Sequence, residues 1–426
     1  AYARIRKQFG LSIGRFEGVE EALARIGGKA YKISALCQYT AAAVDRGDVP
    51  SVPSAIAKYH CTNMSREVIT DVMDIIGGKG IILGPRNFAG RSWQASPIAI
   101  TVEGANIMTR SLLIFGQGAI LCHPWVLKEM KAAQNEDRAA GLAEFDKSLF
   151  GHVRFGISNA VRSFWFGLTG SRFGAAPGDA YTRRYFRKLD RYSANLALMA
   201  DISMMTLGGK LKFKEGLSGR LGDVLSHIYM TSAMLKRYHD EGAPVAEQPL
   251  LAWAFHDSVH KIEDALSAAL RNFPIRPIGW LMWALVFPLG RRAEAPGDRL
   301  GHRVASLLMS ANPARDSLAR GVFLTPTDNN PGGRIASYLE KAIAAEPVER
   351  KLLKALKTGA IKALEFPAQL EAAVAAGILT AQERTQLEEL RAIIMDTISV
   401  DDFDVHELRA ASYYDLPGKQ HPQQAA

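Results

Sequence analysis

The chain has 426 residues, a formal charge of +9 and a hydrophobic fraction of 48%. That length can bury more than one core, and that apolar fraction is ordinary for a globular protein, which excludes a disordered or fibrous chain. The three cysteines, Cys37, Cys61 and Cys122, are too few and odd in number for a disulfide framework, so the sequence fits a reducing compartment with each thiol a small buried residue.

The positive charge calls for an anionic partner. Lysine and arginine are interspersed with acids and no nucleic-acid-binding motif is present, so no nucleic-acid partner is expected. The chain starts at Ala1 without a charged lead into an apolar signal core, and the expectation is a fragment whose N-terminal part lies upstream.

In chain order, Val19, Leu23, Ile26, Ala30, Ile33 and Cys37 recur at three and four, which predicts a long helix from about Val19 to Asp45. Pro50 to Pro53 break it, and a second helix is predicted from near Ser54 to Ile76, ended by Gly77-Gly78. A third follows Glu103 and runs at least to Ile120. Long helices with short breaks make antiparallel neighbours, so residues 1–130 read as a helical bundle with no sheet. The polar run Lys131 to Arg138 is the expected boundary of a second region, residues 131–416.

That region is also predicted to be helical. Leu196 to Leu207 is apolar nearly all round and is ended by Gly208-Gly209. Amphipathic spacing continues through Leu217 to Leu235 and through Phe255 to Phe273. Two loops are expected, Phe173 to Ala180 and Ala311 to Gly333. Gly377 closes a helix, and Thr380 with Glu383 has the spacing of a capping box that opens the next. Residues 417–426 are expected to be a disordered tail. No internal repeat is present.

Three clusters could carry chemistry. The stretch Ile98 to Met108 sets Glu103 between apolar neighbours and a Gly-Ala-Asn turn. A carboxylate kept from water there would be a stronger base, as abstraction of a weakly acidic C–H proton requires; a glutamate in a first helical turn is also favoured by the helix dipole alone. Arg6, followed by Lys7, Gln8 and Phe9, offers a guanidinium whose paired donors match a pyrophosphate. Gly77, Gly78 and Gly80 form a turn where backbone can approach a ligand, and such a turn is equally a helix stop.

The order of these pieces, R-x-x-F-G at Arg6 to Gly10, G-G-x-G at Gly77 to Gly80 and E-G at Glu103-Gly104, resembles the C-terminal helical domain of the acyl-CoA dehydrogenases. Beyond residue 120 the chain resembles the long extension of the large bacterial enzymes of fatty-acid β-oxidation. The resemblance implies an all-α fold, with a four-helix bundle of the acyl-CoA dehydrogenase C-terminal type followed by a mostly helical extension domain. It implies FAD as cofactor, contacted by Arg6, Lys7, Gln8, Phe9, Gly77, Gly78, Gly104 and Asn106. It makes Glu103 the catalytic base in converting medium- or long-chain acyl-CoA to trans-2-enoyl-CoA. It further implies a homo-oligomer that passes electrons to an electron-transferring flavoprotein, with the N-terminal helices and β domain preceding Ala1. Asp74 stands where the family usually has glutamine, and Ala105 where it often has threonine; the first removes an amide donor and the second a hydroxyl.

Other constellations compete. His256 and His260 lie one helical turn apart, as in two-histidine metal sites, but also flank an apolar stripe. Asp401, Asp402 and Asp404 lack the spacing of a calcium loop. No metal site is therefore expected. Ile278 to Leu289, with Trp280 and Trp283 between arginines, spans about 18 Å as a helix, too short to cross a bilayer. It suits a buried helix or an interfacial anchor, and the protein is expected in the cytoplasm, with a contact peripheral to the inner membrane through Trp280 and Trp283. A non-catalytic helical scaffold or membrane-docking module is the alternative function, and a metal hydrolase using His256 and His260 a third.

Overall fold

The computed structural model describes residues 1–121, 123–174 and 176–403. Cys122, Asp404 and the tail expected at 417–426 lie outside the described residues. The described chain is all-α apart from one small hairpin.

It opens with α1 (Tyr2–Ile5), the hairpin β1 (Lys7–Gln8) and β2 (Leu11–Ser12), and then α2 (Glu17–Asp45) and α3 (Ser51–Ile76). Short α4 (Gly78–Ile81) leads to α5 (Gly90–Thr101), and α6 (Asn106–Met108) runs through a π-helical stretch, Thr109–Ile114, into α7 (Phe115–Leu121). The second half continues with α8 (Val126–Ala133), α9 (Arg138–Thr169), α10 (Arg183–Leu207), α11 (Glu215–Asp240), α12 (Gln248–Arg271) and α13 (Arg276–Val286). After these come α14 (Asp298–Leu308), α15 (Pro313–Leu318), α16 (Pro331–Ser337), α17 (Leu339–Lys357), α18 (Phe366–Ala375) and α19 (Ala381–Ile398).

These elements form two compact units, one of residues 1–12, 73–93 and 323–403 and the other of residues 13–72 and 94–322. In the first, α17, α18 and α19 pack through Leu352, Leu370, Leu387 and Leu390, all buried. Arg4 on α1 donates two hydrogen bonds, 2.5 and 2.7 Å, to the carboxylate of Glu346 on α17. Thr380 and Glu383 cap α19 reciprocally, the box that their spacing predicts.

The second unit has its main core around α11 and α12, where Leu221, Val224, Phe255, Val259 and Leu266 are fully buried. Helices α2 and α3 run antiparallel: Arg25 pairs with Asp71 and Lys29 with Glu67, each at 2.7 Å, and further along Cys37 meets Cys61. Gly28 admits the ring of Trp253, which a Cβ at that position would strike at 1.8 Å. The π-helical stretch carries Arg110, whose guanidinium forks onto Asp223 of α11 at 2.5 to 3.1 Å.

Several expectations are corrected. A sheet exists in the N-terminal region, but its strands are two residues long, too short to alternate visibly. The loop expected at Ala311 to Gly333 contains α15, because Asn312 caps it and Pro313 is preset for the first helical position. Cys37 is exposed and Cys61 only half-buried, so neither is the core residue expected. Trp283 packs against the main core, whereas Trp280 is 68% exposed. Helix α9 inverts the usual polarity: Ser148, Asn159 and Ser163 face inward, while Phe150, Val153, Ile157, Val161 and Trp165 are exposed. No helix among the described residues is long and apolar enough to cross a membrane.

Candidate active site

Glu103 sits in the turn between α5 and α6 with φ 55°, followed by Gly104 at φ 92°. A left-handed backbone is natural for glycine and strained for a glutamate, at about 1–3 kcal/mol, so the surroundings must impose it. Lys58 on α3 does so. Its ammonium uses its three donors on the Gly104 carbonyl (2.7 Å), the Asn106 Oδ1 (2.7 Å) and the Ile100 carbonyl (3.4 Å).

Asn106 completes the clamp from the other side. Its amide donates to Thr62 Oγ1 at 2.9 Å and to Asn63 Oδ1 at 3.2 Å, and its side chain is buried. Every strong polar function of Asn106 is therefore spent on α3, and its side chain positions the turn rather than offering a hydrogen bond to a cofactor. Lys58, Thr62 and Asn63 escaped the sequence reading because their partners lie more than forty positions away. Their signal would have been polar residues at helical spacing, 58, 62 and 63, on one face of α3.

The burial expected for Glu103 is not met within this chain, where the residue is exposed. Its apolar neighbours are themselves outward: Ile98 is 62% exposed, Val102 49% and Ile107 79%. The turn leaves the helices rather than tucking under them, so these side chains form an open apolar surround.

The remaining predicted residues belong to the other compact unit. Phe9 and Gly10 form the two-residue turn of the β1–β2 hairpin, both with positive φ, 51° and 77°, as a type I′ turn requires. This lifts the Phe9 ring to the hairpin tip, 94% exposed. Arg6 lies beside the Tyr2 hydroxyl; burial raises the Tyr2 pKa, and the nearby guanidinium opposes that rise. Lys7 is spent on an ion pair with Glu349 of α17, while Gln8 is exposed.

Gly77, at φ 56°, breaks α3 and opens α4. A Cβ at Gly77 or Gly78 would meet nothing within 4 Å, so the turn presents bare backbone. Gly80 is inward, its Cβ direction blocked by Met73 at 2.9 Å, and serves packing. Asn87, not anticipated, holds this turn: its amide donates to the Gly80 and Ile82 carbonyls at 2.9 Å, and its oxygen accepts from the N–H groups of Ala89 and Gly90. Asp74 is exposed and would repel a phosphate brought near it.

A dinucleotide therefore finds a partial fit. Gln8, the Phe9 ring and the Gly77-Gly78 backbone are exposed, whereas Arg6 is engaged by the Tyr2 hydroxyl and Lys7 by Glu349.

His260, Asp257 and Asp401 of the competing groups have partners within the fold. His260 has Nδ1 3.1 Å from the Ala293 carbonyl and Nε2 3.3 Å from Asp264, and Asp257 pairs with Lys32 and Lys261. Asp401 accepts the Arg86 N–H at 2.7 Å, a structural contact.

Residues 120–403 match the family model described as acyl-CoA dehydrogenase, C-terminal, bacterial type. Residues 1–114 match the one described as acyl-CoA dehydrogenase, C-terminal domain. Among solved structures, the chain is similar to an acyl-CoA dehydrogenase complexed with FAD from Bacillus anthracis, at 14% identity and a TM-score of 0.55. The match covers 74% of this chain and 52% of that one, so this chain spans about half the length of the solved relative.

Proposed function

The chain belongs to the bacterial-type acyl-CoA dehydrogenase C-terminal family, and from that premise we propose that it is the C-terminal part of an FAD-dependent acyl-CoA dehydrogenase acting in fatty-acid β-oxidation. Residues 1–130 are its helical dehydrogenase domain and residues 131–416 its extension. The substrate is a medium- or long-chain acyl-CoA and the product the trans-2-enoyl thioester.

Glu103 takes the proton from the α carbon, and the Glu103 backbone N–H donates to the thioester carbonyl, which acidifies that proton. The flavin, when bound, supplies the acceptor for the β hydrogen. Arg6, Gln8 and Phe9 and the Gly77-Gly78 backbone contact the cofactor. The open apolar surround of Glu103 is covered by substrate and by parts of the enzyme beyond these residues, which excludes water from the carboxylate.

The observation that carries this reading is the strained, exposed Glu103 backbone, clamped by Lys58 and Asn106. Strain maintained at an exposed carboxylate has no packing purpose and suits a group held in place for chemistry. The test is Glu103→Gln in the full-length enzyme. Flavin content should be unchanged while turnover falls about 10²–10⁴-fold, the usual contribution of a general base. Unchanged turnover would remove Glu103 from the mechanism.

The enzyme works as a homo-oligomer and passes electrons to an electron-transferring flavoprotein. The extension makes a peripheral contact with the inner membrane through Trp280, joined by the outward apolar face of α9, where Phe150, Ile157 and Trp165 lie. Trp280→Ser combined with Ile157→Ser should abolish flotation with anionic liposomes, and flotation equal to wild type would refute the contact.

A further inference from the structure

We propose that His123, His152 and Asp201 form a binding site for a divalent transition metal of the zinc class, joining three helical segments of the second compact unit. His123 lies in the turn leading into α8, His152 on α9 and Asp201 on α10. The His123 Nε2 is 2.7 Å and the His152 Nε2 3.4 Å from Asp201 Oδ1, and one ligand atom from each residue lies within 4.8 Å of the others. Among the described residues this is the group of three such side chains that converges.

The surroundings are those of a built site. The side chains of His123, Asp201 and His152 are only 5%, 11% and 23% exposed. Asp201 Oδ2 is buried with no hydrogen-bond partner, and the ion-pair partners of Asp201 among the described residues are the two imidazoles alone. A carboxylate so enclosed lacks a compensating cation. Glu129 on α8 faces His152 Nδ1 at 2.9 Å. That contact places the ring proton on Nδ1 and turns the Nε2 lone pair toward Asp201, as outer-shell carboxylates do for metal-bound histidines.

Charge and donor type select the ion. Two neutral imidazoles with two carboxylates, Asp201 and Glu129, balance a divalent cation. A set of two nitrogens and one oxygen favours zinc over magnesium or calcium, with a solvent molecule as fourth ligand. In the metal-free protein His123 Nδ1 accepts the N–H groups of Trp125 and Val126, both at 3.2 Å, so its proton sits on Nε2. Metal uptake through Nε2 moves that proton to Nδ1, which keeps the imidazole neutral and breaks these two long contacts. The role is a clip: α8, α9 and α10 meet through polar groups here, and the ion ties them together.

The test uses the full-length protein, stripped by a chelator, dialysed and titrated with Zn²⁺ by calorimetry. One equivalent should bind per chain and raise the unfolding temperature. His152→Gln and Asp201→Asn should each weaken binding by at least tenfold, while His260→Gln should leave it unchanged. In the unaltered protein, Zn²⁺ should protect His123 and His152, but not His260, from diethyl pyrocarbonate, mapped by mass spectrometry. This arm stands even where a variant fails to fold. Absence of a stoichiometric site, unprotected His123 and His152, or folded variants that bind as tightly as wild type would each overturn the proposal.

Discussion

Lys58 and Gly104 are joined by a 2.7 Å hydrogen bond from the ammonium to the carbonyl immediately after Glu103. One cation on α3 thereby fixes the backbone on which the carboxylate is mounted. Lys58→Met removes all three donors while keeping the aliphatic stem, and frees the turn to relax from its strained φ. In the full-length enzyme kcat should fall about 10- to 100-fold, as for a displacement near 1 Å of a reacting group, with KM little changed. Stability should drop by only about 1–2 kcal/mol for the lost charged hydrogen bonds. A loss of stability without a loss of kcat would make Lys58 a purely structural residue.

The cofactor contact proposed for Phe9 can be separated from folding in the opposite direction. Its φ of 51° disfavours a bulky residue, and its ring is 94% exposed. Phe9→Asn gives the Asn-Gly pair preferred in such turns and should stabilise the protein by roughly 0.5–1 kcal/mol. FAD retention in the full-length enzyme should nonetheless fall, read as flavin fluorescence released on dialysis. A variant that is more stable and keeps its flavin would remove Phe9 from the cofactor site.

The same contrast explains what the sequence makes legible. Helices α2 and α3 are readable because their apolar residues recur at three and four over long stretches, and the α19 cap because Thr380 and Glu383 satisfy each other locally. Helix α5 is not readable: Pro97 lies inside it and its outward face carries Trp93 and Ile98. Glu103 stands out through its neighbours, but their exposure does not, since apolar residues predict burial only where a fold has something to bury them against. Lys58, Asn87 and the His123, His152 and Asp201 group stay hidden for another reason. Lys58 and the histidine group act across a distance in sequence, where only packing brings the partners near, whereas Asn87 acts on nearby backbone groups that leave no side-chain pattern to read.

Acid should destabilise the second unit through His60 and His227, whose rings lie edge to face, 5.1 Å apart. Burial pulls His60 down to about 3 and His227 well below its ordinary value of 6.5, with Lys32 adding to both. The unfolded chain takes up protons near pH 6.5 while the folded chain does not, so falling pH favours unfolding. The stability is full above pH 6.5 and is lost as pH falls toward 3. Each tenfold loss of proton affinity on folding is worth about 1.4 kcal/mol, so the pair should contribute a loss on the order of several kcal/mol. Denaturant midpoints across this range should fall steeply for wild type and less steeply for His60→Gln with His227→Gln. Parallel curves would place the acid sensitivity elsewhere.

Cys37 and Cys61 face each other from α2 and α3 with their sulfurs 3.7 Å apart. The contact lowers Cys37 to about 7, and Cys61 is raised by the same hydrogen bond and by burial. Cys37 is therefore the thiolate available near neutral pH, and the exposed one. Hydrogen peroxide should take two electrons from the pair, yielding one disulfide and two waters, with loss of two thiols by Ellman titration and recovery on reduction. The sulfurs must close to about 2.05 Å, a small movement for facing helices. The cross-link should stabilise the chain by about 3 kcal/mol through the loop it closes, seen as a higher unfolding temperature that Cys61→Ser abolishes. Oxidation that stops at a single modified Cys37, with Cys61 still free, would mean that the helices hold the two sulfurs too rigidly to bond.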